Sequence, residues 1–91
     1  MDSILQEEKE CYLTGSTTGL HKHHIYAGSR RSTSEKNGFW VWLRWDWHNG
    51  ASYGVHFNNA LDLKLKKECQ EQFEKTHSRE EFRRLIGKSY L

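Results

Sequence analysis

Histidines supply the side chains of this chain that could do chemistry. His21, His23 and His24 lie within four positions, and His48 and His56 follow later, the last near the start of a predicted helix. An imidazole nitrogen is the commonest neutral ligand of divalent transition ions, and it also accepts a proton near neutral pH. Because neighbouring residues of a strand point to opposite faces, His23 and His24 cannot both be ligands in a regular strand. We therefore expect one of the pair to bind a metal ion while the other acts as a base.

Tryptophans and arginines form a second group that could contact a ligand. In the stretch LRWDWHN, residues 43–49, an extended backbone would place Trp45 and Trp47 on one face with Leu43, and Arg44 and Asp46 on the other. The indoles either fill a small core or stack on a nucleobase, and such stacking contributes about 1–3 kcal/mol for any base. Arginines would then pair with phosphate. The predicted ligand-binding residues are Arg30, Arg31, Trp40, Trp42, Arg44, Trp45, Trp47 and Asn49.

The charge of the chain is too low for binding along a long nucleic-acid duplex. Its net charge is +2 with the histidines neutral, so single strands or small nucleotides suit it better. Basic residues are concentrated in the stretch SRRSTS, residues 29–34, whereas acidic residues crowd the first ten positions. The stretch SRRSTS is either a solvated loop or a loop that contacts phosphate.

The elements that must position these side chains begin with short extended segments. Residues 11–13 and 20–26 flank the turn-rich segment TGSTTG, which indicates a hairpin or a knuckle-like loop. Residues 39–43, an aromatic and β-branched run after Asn37 and Gly38, are the best candidate for a strand. A long loop is expected between this strand and the first helix.

The last third of the chain is predicted to be helical. From Asn58 onward apolar residues recur every four positions, which aligns them on one helix face; they are Leu61, Leu65, Cys69 and Phe73. Cys69 on this face is expected to be a buried small hydrophobic residue. A second, short helix begins at Ser78, which forms a capping box with Glu81, and ends near Gly87.

The length allows one small domain with a marginal core. The chain has 91 residues, of which 35% are hydrophobic and 13% aromatic, so a metal or self-association could add stability. We expect a tail or short helix over residues 1–10 and the domain over residues 11–91. Two cysteines and no segment that could span a membrane or serve as a signal peptide favour a cytosolic protein with reduced thiols.

The stretch over residues 10–68, from ECYLTGSTTGLHKHHI to WDWHNGASYGVHFNNALDLKLKKE, resembles the small HNH-type proteins of bacteriophages. These proteins are built on the ββα-metal finger, and the resemblance extends over residues 11–91. It implies an α+β fold in which a hairpin and a strand precede a long helix and a short C-terminal helix. It also implies one divalent ion, Mg, Mn, Ni or Zn, held by His23, His48 and His56. His24 matches the general base that activates water against a phosphodiester, and the site of action would be the host cytoplasm.

The chain departs from this family at its structural zinc site. The four cysteine positions of the family fall on Cys11, Thr14, Arg44 and Trp47. A tetrahedral site that keeps one of four thiolates does not hold zinc, so no structural zinc is expected. The family's middle asparagine is also not found at its expected place, because Asn37 lies too early in the chain.

Two functions are consistent with these residues. The first is a phage-derived protein that binds a nucleotide or nucleic acid, acting as an anti-defence factor that sequesters a nucleotide immune signal or blocks a host defence nuclease. Such a binder is expected to be a homo-oligomer, because several copies can enclose a ligand that one cannot. The alternative is a metal-dependent endonuclease or nickase with His24 as its base. The lost zinc positions favour the first, which we take as the prediction, and the complete histidine set favours the second.

Overall fold

A two-stranded antiparallel sheet lies at the centre of the α+β fold, in a computed structural model that describes residues 1–91. Strand β1 (Leu20–His24) pairs with strand β2 (Trp40–Arg44), and His23 lies opposite Val41. The strand predicted over residues 39–43 is therefore confirmed with a shift of one residue. Val41 and Leu43 face the core and are fully buried, while Trp40 and Trp42 alternate to the other face of the sheet.

Residues 11–13 do not form a hairpin with β1, because the partner of β1 is β2. They form a tight turn instead, in which the Gly15 amide donates to the Cys11 carbonyl and the Cys11 amide donates to the Ser16 carbonyl, both at 2.8 Å. The Tyr12 amide also donates to the Trp42 carbonyl at 2.8 Å. Of the two predicted forms, the structure has the knuckle-like loop.

The first residues of the chain cover the outer edge of β2. The Ile4 amide donates to the Gly38 carbonyl at 3.0 Å. The Ser3 hydroxyl donates to the Trp40 carbonyl at 2.6 Å, and the Trp42 amide donates to Gln6 Oε1 at 2.7 Å. Residues 1–10 contain no helix. Their contacts satisfy the backbone groups that an edge strand would otherwise leave open.

The stretch SRRSTS is helical, so its assignment to a loop was wrong. A 3-10 turn at Gly28–Arg30 leads directly into helix α1 (Arg31–Asn37). Helix α1 buries only Ser34, whose hydroxyl donates to the Tyr26 carbonyl at 2.7 Å and accepts from the Tyr26 amide at 3.2 Å. It ends at Gly38, which adopts the left-handed conformation, with φ 72°, that glycine tolerates best.

The two C-terminal helices form as predicted. Helix α2 (Asn59–Phe73) buries Leu65, Cys69 and Phe73 and leaves Leu61 partly buried. Helix α3 (Arg79–Ile86) has both hydrogen bonds of the Ser78 capping box and ends at a left-handed Gly87. None of the helices combines the length and apolar character needed to cross a membrane.

The core joins the sheet to helices α2 and α3. It contains 12 buried residues. Its aromatic centre consists of Tyr26, Phe39, Phe73 and Phe82, whose ring centroids lie 5.4–6.1 Å apart in the pairs that touch. Both cysteines are buried in it as free thiols.

The segment between β2 and α2 folds as two short turns. The backbone leaves the extended conformation at Trp45, with φ −50° and ψ −39°, and a π-helical turn follows at Asp46–Gly50. A 3-10 turn at Val55–Phe57 leads into α2. The expectation that Trp45 and Trp47 share one face with Leu43 is therefore wrong: Leu43 and Trp47 contact the core, whereas Trp45 is exposed.

Candidate metal centre

Three histidines from separate elements meet at one end of the sheet. His23 comes from β1, His48 from the π-helical turn and His56 from the 3-10 turn before α2. Each offers one ring nitrogen, and these nitrogens all lie within 4.8 Å of one another. Nitrogens at this separation can bind a single ion. These are the three residues that the sequence analysis predicted as metal ligands.

His23 is the buried member of the group. Its side chain faces inward beside Val41 and Leu43, and the residue is 5% exposed. Its Nε2 atom is buried and has no hydrogen-bond partner in the protein. Burial, reinforced by His48 and His56, lowers the pKa of His23 to about 3. The ring is therefore neutral at pH 7, and in the tautomer with the proton on Nδ1 the unpaired Nε2 presents the lone pair with which an imidazole binds a metal.

His48 and His56 complete the donor set. Their Nε2 atoms lie 2.9 Å apart. Burial, followed by the proximity of His56 and His21, lowers the pKa of His48 to about 4. The set is made of imidazoles and contains no carboxylate. Neutral nitrogen donors suit Zn²⁺, Ni²⁺ and similar transition ions better than Mg²⁺, which prefers oxygen.

His24 points to the opposite face of β1, as alternation requires. Its Nε2 atom lies 3.7 Å from Oε1 of Glu35 on α1, and Glu35 also pairs with Lys22 at 3.1 Å. Burial lowers the pKa of His24, while the Glu35 carboxylate opposes this effect. His24 is thus neutral at pH 7 and able to accept a proton. Sequence reasoning missed Glu35, because it assigned no helix to this segment.

One pocket brings the four histidines together. It has a volume of about 330 Å³ and is lined by Lys22, His23, His24, Ala27, Arg31, His48, Asn49 and His56. Two of the predicted ligand-binding residues, Arg31 and Asn49, are therefore in the same pocket as the predicted metal ligands. A guanidinium and an amide at the rim can hold a phosphate group against the histidines.

The other two predicted arginines lie elsewhere. Arg30 lies over Gly87, with Nη2 2.9 Å from the position that a Cβ atom on that glycine would occupy. Arg44 makes a bidentate ion pair with Asp46, with both distances 2.6 Å. The Tyr53 hydroxyl donates to the same carboxylate at 2.5 Å. Arg44, followed by Tyr53, holds the pKa of Asp46 well below its usual range.

Cys11 lies near this ion pair and accepts hydrogen bonds from its surroundings. Burial alone would raise the pKa of Cys11, but hydrogen bonds from the Thr14 hydroxyl and from backbone amides, that of Arg44 first, lower it overall. Amide donors thus surround the Cys11 sulfur. The bidentate pair of Arg44 with Asp46 connects β2 to the following turn.

The predicted tryptophans differ widely in exposure. Trp40 is 8% exposed and its Nε1 donates to the Met1 carbonyl at 3.1 Å. Trp42 is half-buried below Lys9. Trp47 packs between the core and Tyr53, and the ring centroids of Trp47 and Tyr53 lie 4.6 Å apart. Trp45 is 52% exposed. Trp45 is therefore the most exposed of the four indoles, although its ring lies against Gly19 and Gly50.

The exposed aromatic rings all lie on the segment that contains His48 and His56. They are Trp45, Tyr53 and Phe57, which are 52%, 44% and 65% exposed. Phe57 follows His56 directly, and sequence reasoning missed it because a single phenylalanine before a helix resembles a core residue. Exposed rings on the segment that supplies His48, Asn49 and His56 to the pocket can stack on nucleobases.

Comparisons of the chain with protein-family models, with curated proteins and with solved structures found no match. The geometry of this site is therefore the basis on which a function can be assigned.

Proposed function

We propose that the protein is a metal-dependent endonuclease or nickase of the HNH type, which hydrolyses phosphodiester bonds of nucleic acid. The observation that carries the proposal is the convergence of His23, His48 and His56 beside His24 in one pocket. The antiparallel strands β1 and β2, with α1 between them in sequence, and the later helix α2 are consistent with a ββα-metal finger that has a helical insertion between its strands. Because the histidine set is complete, we prefer the nuclease to the binding protein, which the sequence analysis took as its prediction.

The three imidazoles fit a divalent transition ion, since one of them presents a buried, unpaired nitrogen. Such an ion, when bound by His23, His48 and His56, would supply Lewis-acid stabilisation of the negative charge that develops on the phosphate.

His24 would accept the proton of the attacking water. Because the Glu35 carboxylate lies near Nε2, it favours the tautomer with the proton on Nε2 and leaves the Nδ1 lone pair free. This is the role that a carboxylate has for a catalytic histidine in general: it fixes the ring orientation and stabilises the positive charge after proton transfer. Glu35 is thus a positioning residue in this proposal.

Arg31 and Asn49 would bind the phosphate, and the exposed rings would bind the bases. Arg31 begins α1 and lines the pocket together with His24. Asn49 follows His48 in the π-helical turn. The low net charge of +2 gives a weak electrostatic attraction to long duplexes, so stacking on flexible or single-stranded regions is expected to contribute much of the affinity.

The test is a plasmid nicking assay with Mg²⁺, Mn²⁺, Ni²⁺ or Zn²⁺ beside an EDTA control. We expect cleavage that depends on metal and that falls by about 10²–10⁴-fold in His24→Ala, the usual contribution of a general base. His77→Ala is the matched control, because His77 is exposed and lies outside the pocket. Thermal unfolding of each variant checks that the fold is intact.

Two results would contradict the nuclease. One is full activity in His24→Ala, and the other is no cleavage with any metal although the protein binds the metal. In the second case the binding protein becomes the better proposal. Quenching of the tryptophan fluorescence of the chain by nucleotides or short oligonucleotides would then measure that function.

A further inference from the structure

His21 contacts a predicted metal ligand from outside the group of three. It lies on β1 two residues before His23, so both side chains project from the same face. Its Nδ1 atom is 3.1 Å from Nδ1 of His48, and the two rings meet edge to face with centroids 5.3 Å apart. His21 is exposed and is not part of the set whose nitrogens converge.

The two nitrogens of His48 have different partners. Its Nε2 atom faces Nε2 of His56 at 2.9 Å, on the side of the predicted metal, and its Nδ1 atom faces His21. A neutral imidazole has one N–H and one lone pair. If Nε2 is to present its lone pair to an ion, the proton of His48 must be on Nδ1. A hydrogen-bond acceptor must then be near Nδ1, and His21 Nδ1 is in that place.

We propose that His21 is the positioning residue of the metal site: it accepts the Nδ1–H of His48 and thereby fixes the tautomer and ring orientation that present Nε2 to the ion. The proposal depends on the metal site assigned to the proposed function. Outer partners of metal-bound histidines are usually carboxylates, carbonyls or waters, and their loss typically lowers metal affinity by about 10–100-fold. A second imidazole can act as the acceptor only as the tautomer with its own proton on Nε2.

The first experiment measures the affinity of the full chain for Zn²⁺ and for Ni²⁺ by competition with a chromogenic chelator. We expect His21→Ala to bind each ion about 10–100-fold more weakly than the wild-type chain. His21→Asn should bind within a few-fold of wild type, because the amide oxygen of asparagine occupies nearly the place of the Nδ1 atom. His77→Ala serves as the control for the loss of an exposed imidazole and should have no effect.

The second experiment determines the tautomer of His48 from its ring ¹⁵N chemical shifts in metal-free protein. We expect the proton on Nδ1 in the wild-type chain and in His21→Asn, and a mixture of tautomers in His21→Ala. Because His21 is exposed, the alanine variant should keep the fold, and its backbone spectrum verifies this.

Three results would overturn the proposal. The first is wild-type metal affinity in His21→Ala, and the second is a wild-type tautomer of His48 in that variant. The third is an equal loss of affinity in the alanine and asparagine variants, which would make His21 itself a ligand. If the wild-type chain binds no metal, the proposed function fails, whereas the ¹⁵N shifts still decide whether His21 accepts the proton of His48.

Discussion

His23 combines two properties that conflict in a protein without a ligand. Its ring is buried against the sheet, and its Nε2 atom has no partner. A buried polar atom without a hydrogen bond destabilises the native state by about 1–3 kcal/mol. The nearby Nε2 atoms of His48 and His56 do not relieve this, because they face each other at 2.9 Å. A role in metal binding would explain why the native state keeps this unpaired nitrogen despite its cost.

The burial of His23 predicts a pH dependence of stability in metal-free protein. Its pKa is about 3 in the native state and 6.5 in the unfolded chain, so between these values the unfolded chain binds a proton that the native state does not. The free energy of unfolding should therefore decrease as the pH falls below about 6.5, by about 1.4 kcal/mol per pH unit for this group. Urea unfolding at pH 7 and pH 5 in EDTA measures the effect.

The control for this prediction separates His23 from the other histidines. His23→Leu should reduce the difference in the free energy of unfolding between pH 7 and pH 5, and His77→Gln, at an exposed position, is the matched control substitution. His48, with a pKa of about 4, still contributes to the pH dependence of the free energy of unfolding in both variants. Equal pH dependence in His23→Leu and wild type would show that His23 is accessible to protons in the native state.

The residues of the site differ in how far the sequence predicts them. His23, His24, His48 and His56 follow from residue type and spacing, because few side chains other than imidazole combine metal binding with proton transfer at neutral pH. His21 could have been assigned from alternation, since it shares a face with His23. Glu35 could not, because its contact with His24 requires α1 to return to the sheet.

Two elements were assigned incorrectly, each for a physical reason. Helix α1 buries a single polar residue, Ser34, so it has no apolar periodicity from which a helix could be predicted. Residues 45–47 alternate like a strand, but Asp46 accepts hydrogen bonds from both Arg44 and Tyr53. That local ion pair turns the chain away from the sheet. The helices α2 and α3 were predictable, because both have a regular apolar face or a capping box.

The segment over residues 45–57 is expected to bind the bases as well as the ion. Replacing Phe57, its most exposed ring, with alanine should weaken binding of a single-stranded oligonucleotide by about five- to 150-fold, which corresponds to 1–3 kcal/mol of stacking. Fluorescence anisotropy with a labelled oligonucleotide measures this. Zn²⁺ affinity should not change, because the phenyl ring offers no ligand.

Two variants make the Phe57 experiment specific. Phe57→Tyr keeps an aromatic face and should bind nearly as well as the wild-type chain. Leu63→Ala removes another exposed apolar side chain, on α2, and should have no effect. Unchanged oligonucleotide affinity in Phe57→Ala would exclude this ring from the nucleic-acid interface.

At the scale of the whole molecule, the core is continuous without any metal. Its 12 residues come from the knuckle-like loop, the sheet, the turns and both C-terminal helices. Cys11 is buried among them, and the pair of Arg44 with Asp46 connects the end of β2 to the next turn. The sequence predicts the α+β class of this fold. It does not predict the ion pair of Arg44 with Asp46, since that depends on side-chain geometry.

The ion at the histidine site should therefore add to the stability of a protein that is already folded. We expect the chain in excess EDTA to keep its circular dichroism spectrum and a cooperative thermal transition. Adding Zn²⁺ or Ni²⁺ to about 100 times the dissociation constant should raise the free energy of unfolding by about 2.7 kcal/mol, because the ion binds the native state alone. His56→Ala, which removes the exposed ligand, should keep the metal-free transition and lose the increase. Unfolding by EDTA would instead mean that the metal is required for the fold, as in a zinc finger, and that the core described here is insufficient by itself.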